Sequence, residues 1–463
     1  MHDFKYSIRK RRLLSFIYRG KNTPRNSFRL AKNSKPSQKR LRIILPLLAV
    51  VLAMYPCSFV IKSIVAKIIN LNHHKAGPAQ AATLVDDSSQ SFRVASQLLN
   101  SAQQQGDQLV APLTGGGLLH FTIDPALQVR VQEIMRSKDV PYGVFVAIEP
   151  KSGKILAMTG YSSINPAWGN NPYFNLYPMA SLFKIITAAA ALELNKVDPE
   201  TIFEYRGSSY SENPKHWNVN PGQSTQSMSL SLAMGKSINP VFGRLASDYV
   251  GADSIMAYAQ RFGFNQILFP GTPVIPSRAA FPQDDSQLKL MGAGLGREVK
   301  ISPFHAAVIM AAIANQGTMM TPFLTKEIRD KQNNVISSIQ SRSIRKLVVN
   351  ETADQLTKML LTTVTKGTSR KAFHDRRGQP LLTSITVAAK TGSINGTDPA
   401  GHYSWFAAYA PVENPQIALV ALIINQDKWK IKASYLGEQA LEQFFEDKDA
   451  VGRVDSLKSS AIH

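Results

Sequence analysis

The longest uncharged apolar run comes early, at Ile43 to Ile61, nineteen residues without an Asp, Glu, Lys or Arg. As a helix it would be about 28 Å long, close to the roughly 30 Å hydrocarbon core of a bilayer, and it predicts one transmembrane helix. Behind it, residues 68–118 are poor in aromatics, rich in Gln, Ser, Ala and Asp, and end in Gly115-Gly116-Gly117. That composition predicts a stem, helical in part around Phe92 to Gln105. Apolar periodicity resumes after Phe121-Thr122-Ile123-Asp124-Pro125, where Thr122 or Asp124 can cap a helix over Ala126 to Arg136. Gly143 to Glu149 and Lys154 to Gly160, separated by Pro150-Lys151-Ser152-Gly153, read as a β-hairpin.

A helical, loop-rich stretch follows to about residue 317, opening on Pro178-Met179-Ala180-Ser181 and the Ala- and Leu-rich run Ile185 to Leu194. Strands return at Ile385 to Lys390, His402 to Ala410 and Ile417 to Ile424, and an amphipathic helix spans about Ser434 to Glu446. Strands at both ends around a helical middle predict an α+β domain with a central antiparallel sheet built from both ends of the chain and flanked by helices. The boundaries expected are a basic tail 1–42, a transmembrane helix 43–61, a juxtamembrane stem 62–118, a folded domain 119–446 and a polar tail 447–463.

Charge sharpens the topology. The chain carries +21, but residues 1–42 hold 14 Lys and Arg against the single Asp3, leaving only +8 for the other 421 residues. A nucleic-acid partner is therefore not indicated. The excess before the apolar run places the amino-terminus in the cytoplasm and the domain on the far side of the membrane. A charged region of this length also disfavours a cleaved signal peptide. The single cysteine, Cys57, lies inside the apolar run, so the exported part uses no cysteine chemistry.

Candidate chemistry centres on Ser181-Leu182-Phe183-Lys184. A serine at a helix start meets unpaired N–H groups and the positive end of the helix dipole, and a lysine three residues on lies on the same face. The spacing alone says little, because Ser7 to Lys10, Ser286 to Lys289 and Ser343 to Lys346 share it; a capping serine beside a solvated lysine is the ordinary reading. Order is more telling. Ser237-Ile238-Asn239 follows Ser181 by 56 residues, and Lys390-Thr391-Gly392 follows Ser237 by 153 on a predicted strand.

With these three motifs the sequence resembles the penicillin-binding transpeptidases of the bacterial cell wall, whose signature is S-x-x-K, S-x-N and K-T-G. Thr122 to Gln128, Ala147 to Gly153, Gly294-Leu295-Gly296, Ser302-Pro303, Lys366-Gly367-Thr368 and Trp405-Phe406 fall where that family has similar text, so the resemblance covers roughly 119–446. It implies Ser181 as nucleophile, Lys184 as its base, Ser237 as a proton relay and Asn239 as a holder of the substrate's peptide group. It further implies Lys390 and Thr391 at the substrate's terminal carboxylate, Gly392 giving access to the strand edge, and the N–H groups of Ser181 and Ser393 as an oxyanion hole.

The activity implied is D,D-transpeptidation of peptidoglycan stem peptides through an acyl-serine, with acylation by β-lactam antibiotics, no cofactor and no metal. A separate glycan polymerase is the implied partner, since 62–118 leaves no room for a polymerising domain. A D,D-carboxypeptidase or a β-lactamase would use the same motifs. Against the latter, Glu298, Glu327 and Glu351 lack the asparagine four residues on that class A enzymes pair with their deacylating glutamate. A β-lactam sensor or wall-binding scaffold is the non-enzymatic alternative, and residues 1–42 are too short and basic for a sensor's effector.

Overall fold

The computed structural model describes residues 88–460, with side chains described from 90 to 446. The expected transmembrane helix 43–61 and the basic tail lie outside the described residues. Among those described, no helix is long and apolar enough to cross a membrane.

In chain order the domain begins with α1 (Ser88–Leu98) and three short strands, β1 (Gln103–Gln105), β2 (Gln108–Pro112) and β3 (Leu118–Phe121). Then come α2 (Pro125–Ser137), β4 (Tyr142–Ile148), β5 (Ile155–Tyr161) and, after a 3-10 turn at Ala180–Phe183, α3 (Lys184–Glu193). The helical middle supplies α4 (Leu230–Lys236), α5 (Asn239–Arg244) and α6 (Pro303–Ala314). Two strands, β6 (Thr325–Arg329) and β7 (Val335–Ser338), precede α7 (Asn350–Thr365), and the chain closes with β8 (Ala388–Thr397), β9 (Ala400–Ala410), β10 (Ile417–Asn425) and α8 (Ala433–Ser460).

The central sheet is antiparallel in the order β8-β9-β10-β4-β5, so both ends of the chain meet where β10 pairs with β4, Val420 opposite Val146. This is the α+β arrangement the strand pattern predicts. β8 stands at one edge, its Ser393 opposite Ser404 of β9. Every residue of β10 is buried, which is why Ile417 to Ile424 reads as an unbroken apolar run. One face of the sheet packs on α6 and α7, with α3 behind them in the same core, and the other on α2 and α8. All twelve residues of α6, and Lys184 to Leu192 of α3, are buried. A helix apolar all round belongs in a core, and here α3 carries Lys184 in with it.

Two boundaries differ from the sequence reading. Residues 88–118 are not a stem. Phe92, Ala95 and Leu99 of this segment join the core, with Phe92 edge-on to Phe304, and β1-β2-β3 continue into β6-β7 as a second five-stranded sheet. Polar composition concealed this because only one face of α1 is apolar and β1 is exposed throughout. The final helix also continues to Ser460, through residues expected to form a polar tail. At the other boundary, Asp124 rather than Thr122 caps α2, accepting from the Leu127 N–H at 3.0 Å.

Candidate active site

Ser181 sits in the 3-10 turn that leads directly into α3, and its side chain caps nothing. The capping role ordinary for a bare S-x-x-K does not hold here: the hydroxyl faces Lys184 instead, with Nζ to Oγ 2.9 Å. The turn is pressed from two sides. Gly294, at φ +73°, lies so close that a Cβ there would fall 2.3 Å from Ala180 O. A Cβ on Gly392 would meet the Ala180 side chain at 3.1 Å and Trp405 Cβ at 3.2 Å. Between them Ala180 is held at φ +53°, a left-handed conformation that costs a non-glycine residue of order 1 kcal/mol and persists only where its surroundings over-determine it. Gly392 is thus needed for the approach of the nucleophile's turn to β8, a closer reason than substrate access.

Lys184 is fully buried and its amine has three neighbours: Ser181 Oγ, Asn239 Oδ1 at 2.8 Å, and the backbone oxygen of Ala293. The last two can only accept. A neutral amine has two hydrogens, which those two oxygens satisfy, and one lone pair, which is left facing the Ser181 hydroxyl. Burial, and then the charge of Lys390, hold this lysine well below its ordinary value. Three oxygens around the nitrogen would suit the ammonium as well; it is burial that favours the neutral amine, the form able to accept the Ser181 proton.

Asn239 is nine-tenths buried or more and is spent on this arrangement. Its Nδ2 donates to Ser211 O at 3.2 Å and its backbone N–H to Ser209 O at 2.9 Å. Its first role in the structure is to position Lys184, beside the substrate contact implied by the family resemblance. Ser237 terminates α4 in the left-handed region at φ +58°, and its Oγ accepts from Lys390 Nζ at 2.8 Å. Lys390 is buried, also reaches Thr391 O at 2.8 Å, and is pushed by burial down to about 7. The three motifs therefore meet as two lysine–serine pairs.

Ser181, Ser237 and Asn239 line a cleft of about 440 Å³ together with Thr368, Thr391, Gly392 and Ser393, and the two lysines are buried behind it. Thr391 Oγ1 lies 2.5 Å from Thr368 Oγ1, and Thr368 is tied to α4 through its N–H to Gly235 O at 3.0 Å. All eight residues named from sequence are brought together, while the Ser286 to Lys289 copy of the first motif is not: Lys289 pairs with Asp285. No group of three or more metal-ligating side chains occurs among the described residues.

The model of the penicillin binding protein transpeptidase domain matches residues 143–446. This chain belongs to that family. Among curated relatives, the peptidoglycan D,D-transpeptidase PbpA of Mycolicibacterium smegmatis is 28% identical over 372 residues, spanning 70% of this chain and 72% of the relative. The stage V sporulation protein D of Bacillus subtilis is 26% identical over 66% of this chain and 49% of its own length. The crystal structure of penicillin-binding protein A from Mycobacterium tuberculosis superposes at a TM-score of 0.60 with 25% identity, covering 71% of this chain and 82% of that one. Its penicillin G acyl-enzyme complex gives 0.58 at 27%, over 71% and 81%.

Several contributors to this transpeptidase-family site escaped the sequence reading. Thr368 stands in Lys366-Gly367-Thr368, which was visible only as flanking similarity. The carbonyls of Ala293, Ser209 and Ser211 carry no side-chain signal at all. Glu212, beside Ser211 in a second S-x-N triplet, lines the cleft and is exposed. It precedes Ser237 and so lies outside the stretch between the second and third motifs that holds Glu298, Glu327 and Glu351.

Proposed function

We propose that the chain is a membrane-anchored serine D,D-transpeptidase that cross-links peptidoglycan stem peptides, with Ser181, Lys184, Ser237, Asn239 and Lys390 as its catalytic set and Thr391, Gly392 and Ser393 as the substrate cradle. The observation that carries this reading is the Lys184 amine, whose two obligate acceptors leave its lone pair on Ser181.

Ser181 Oγ attacks the carbonyl of the penultimate D-alanine while its proton passes to Lys184. The oxyanion is met by the N–H groups of Ser181 and Ser393, each donor typically contributing about 10²–10³ in rate. As the C–N bond breaks, Ser237 gives its proton to the leaving D-alanine amine and is reprotonated from Lys390. Thr391, backed by Thr368, takes the terminal carboxylate. An acceptor amine then attacks the acyl-serine, its proton passing through Ser237 to the Lys390 amine left neutral by the first half, while Lys184 returns its proton to the Ser181 oxygen as the acyl–oxygen bond breaks. A β-lactam follows the first half only, because its leaving nitrogen stays tethered and blocks the acceptor.

The excess charge of residues 1–42 and the apolar run 43–61 support an uncleaved anchor with the amino-terminus in the cytoplasm and the catalytic domain outside the plasma membrane; a separate polymerase then supplies the glycan. Protease added to intact spheroplasts should remove the domain and spare the tail, and the reverse pattern would refute that topology. Glu212 favours a second reading, hydrolysis of the acyl-enzyme, since it places a carboxylate in the cleft. Incubating the full chain with a stem pentapeptide, with and without an acceptor amine, decides between them. Transfer gives a cross-linked product and ping-pong kinetics. Free D-alanine released at a rate indifferent to the amine, and slowed in Glu212→Gln, would make the protein a carboxypeptidase.

A further inference from the structure

The loop between β10 and α8, residues 426–432, carries Lys428, Trp429, Lys430 and Lys432 against one acid, Asp427. It is held as a rigid shelf. The buried Asn425 side chain accepts from the Lys430 N–H at 2.7 Å and donates to Ile431 O at 3.0 Å, and Ser404 Oγ accepts from the Ala433 N–H at 3.1 Å. On this shelf Trp429 is 49% exposed, an unusual state for so large an apolar ring. One face of its indole stacks on His402, with centroids 5.7 Å apart and planes at 18°. Lys432 Nζ stands 6.0 Å from the same ring, and Lys432 also lines the catalytic cleft with Ser404 and Ser434. The shelf and the cleft are continuous.

Strand register shows what would arrive there. β8 ends the central sheet, and an extended peptide adds to such an edge by main-chain pairing. With the terminal carboxylate at Thr391 and the scissile carbonyl between Ser181 and Ser393, the upstream part of the peptide runs towards Asn395 and Thr397. Asn395 is opposite His402, and their side chains meet at 2.5 Å. At roughly 3.3 Å per residue, three or four upstream residues bring a stem peptide to this end of the hairpin. There the substrate ceases to be peptide and becomes the glycan strand.

We propose that the His402–Trp429 shelf is a glycan subsite, which takes the N-acetylated amino-sugar bearing the donor stem peptide. The C–H face of the sugar ring stacks on Trp429, and Lys432, which stands beside the indole and lines the cleft, faces the substrate's acidic groups. This rests on the transpeptidase reading for its substrate. A Trp–Lys patch also suits an anionic lipid surface, but the pinning of the loop and its continuity with the cleft favour the sugar.

The test uses the full chain in detergent and two probes, a peptide-free oligosaccharide of alternating N-acetylated amino-sugars and a glycan-linked pentapeptide. Trp429→Ala should weaken oligosaccharide binding about tenfold, the scale of one aromatic stacking contact, and Trp429→Phe should restore most of it. The same variant should lower kcat/KM about tenfold for the glycan-linked pentapeptide through KM, while the sugar-free pentapeptide and penicillin acylation stay at wild-type rates. Equal losses on both peptides, unchanged oligosaccharide binding, or a loss confined to binding of anionic vesicles would each overturn the proposal. If penicillin acylates the protein but neither peptide is turned over, the transpeptidase reading fails on its own, and oligosaccharide binding still reports on the shelf.

Discussion

The sharpest test of the site is Asn239→Asp, because it changes one atom of the Lys184 environment and little of its shape. In the native site Asn239 Oδ1 is 2.8 Å from Lys184 Nζ and carries only a partial charge. A carboxylate oxygen at the same distance attracts the protonated lysine by about 6 kcal/mol at an effective dielectric of 20. Desolvating the new anion offsets a part of this. If half survives, about 3 kcal/mol still favours the ammonium, which is on the order of 10²-fold fewer neutral amines at a given pH. The sign follows: burial keeps the native lysine well below its ordinary value, a carboxylate opposes that, and the base is lost at neutral pH and recovered only as pH rises.

Stopped-flow acylation by a chromogenic cephalosporin across pH measures this directly. The limb that rises with pH should move to higher pH in Asn239→Asp, with a loss of about 10²-fold or more at pH 7. Asn239→Ala, which removes the acceptor without adding charge, should slow acylation without moving the limb upward. A variant carrying aspartate that acylates at the native rate with the native pH limb would refute the neutral-lysine argument.

Ser181→Ala should abolish labelling by penicillin, read by mass spectrometry of the adduct peptide, and lower stability by only about 1 kcal/mol, the loss of its hydrogen bond to Lys184. Gly392→Ala inserts a methyl 3.1 Å from the Ala180 side chain and 3.2 Å from Trp405 Cβ, so it should slow acylation by about 10–10²-fold through a small displacement of the turn. A wild-type rate would show that β8 and the turn are not tightly matched. Burial pushes Lys390 down to about 7, so its positive charge is present below that pH and lost above it. Affinity for a substrate with a free terminal carboxylate should therefore weaken as pH climbs through 7, while that of its carboxamide analogue stays flat. Thr391→Val leaves Thr368 without its 2.5 Å partner and should raise KM about tenfold with a smaller change in kcat.

Much of the fold and of the site was legible in the chain. Val144 to Ile148 and Ile417 to Ile424 announce buried strands because a strand covered on both faces has no polar side to show. Ser181, Ser237 and Lys390 announce acyl transfer because the chemistry needs those side chains, and their order along the chain carries the information that no single triplet does. The amino-terminal charge asymmetry speaks to topology for the same reason: Lys and Arg resist translocation wherever the rest of the protein lies.

Tertiary structure decided the remainder. Lys184 is ready to accept a proton only because α3 is buried and Ala293, 109 residues on, turns a carbonyl onto its amine. A backbone oxygen has no residue type, so no motif could report it. Gly392 reads as substrate access in one dimension and as a docking surface for Ala180 in three. Glu212, Thr368 and Lys432 reach the cleft from three separated segments, and residues 88–118 reveal their core face only when Phe304 stands opposite Phe92. Side-chain identity is written along the chain, but the protonation state of a lysine and the neighbour of a glycine are properties of the space around them, which is set by contacts between residues far apart in sequence.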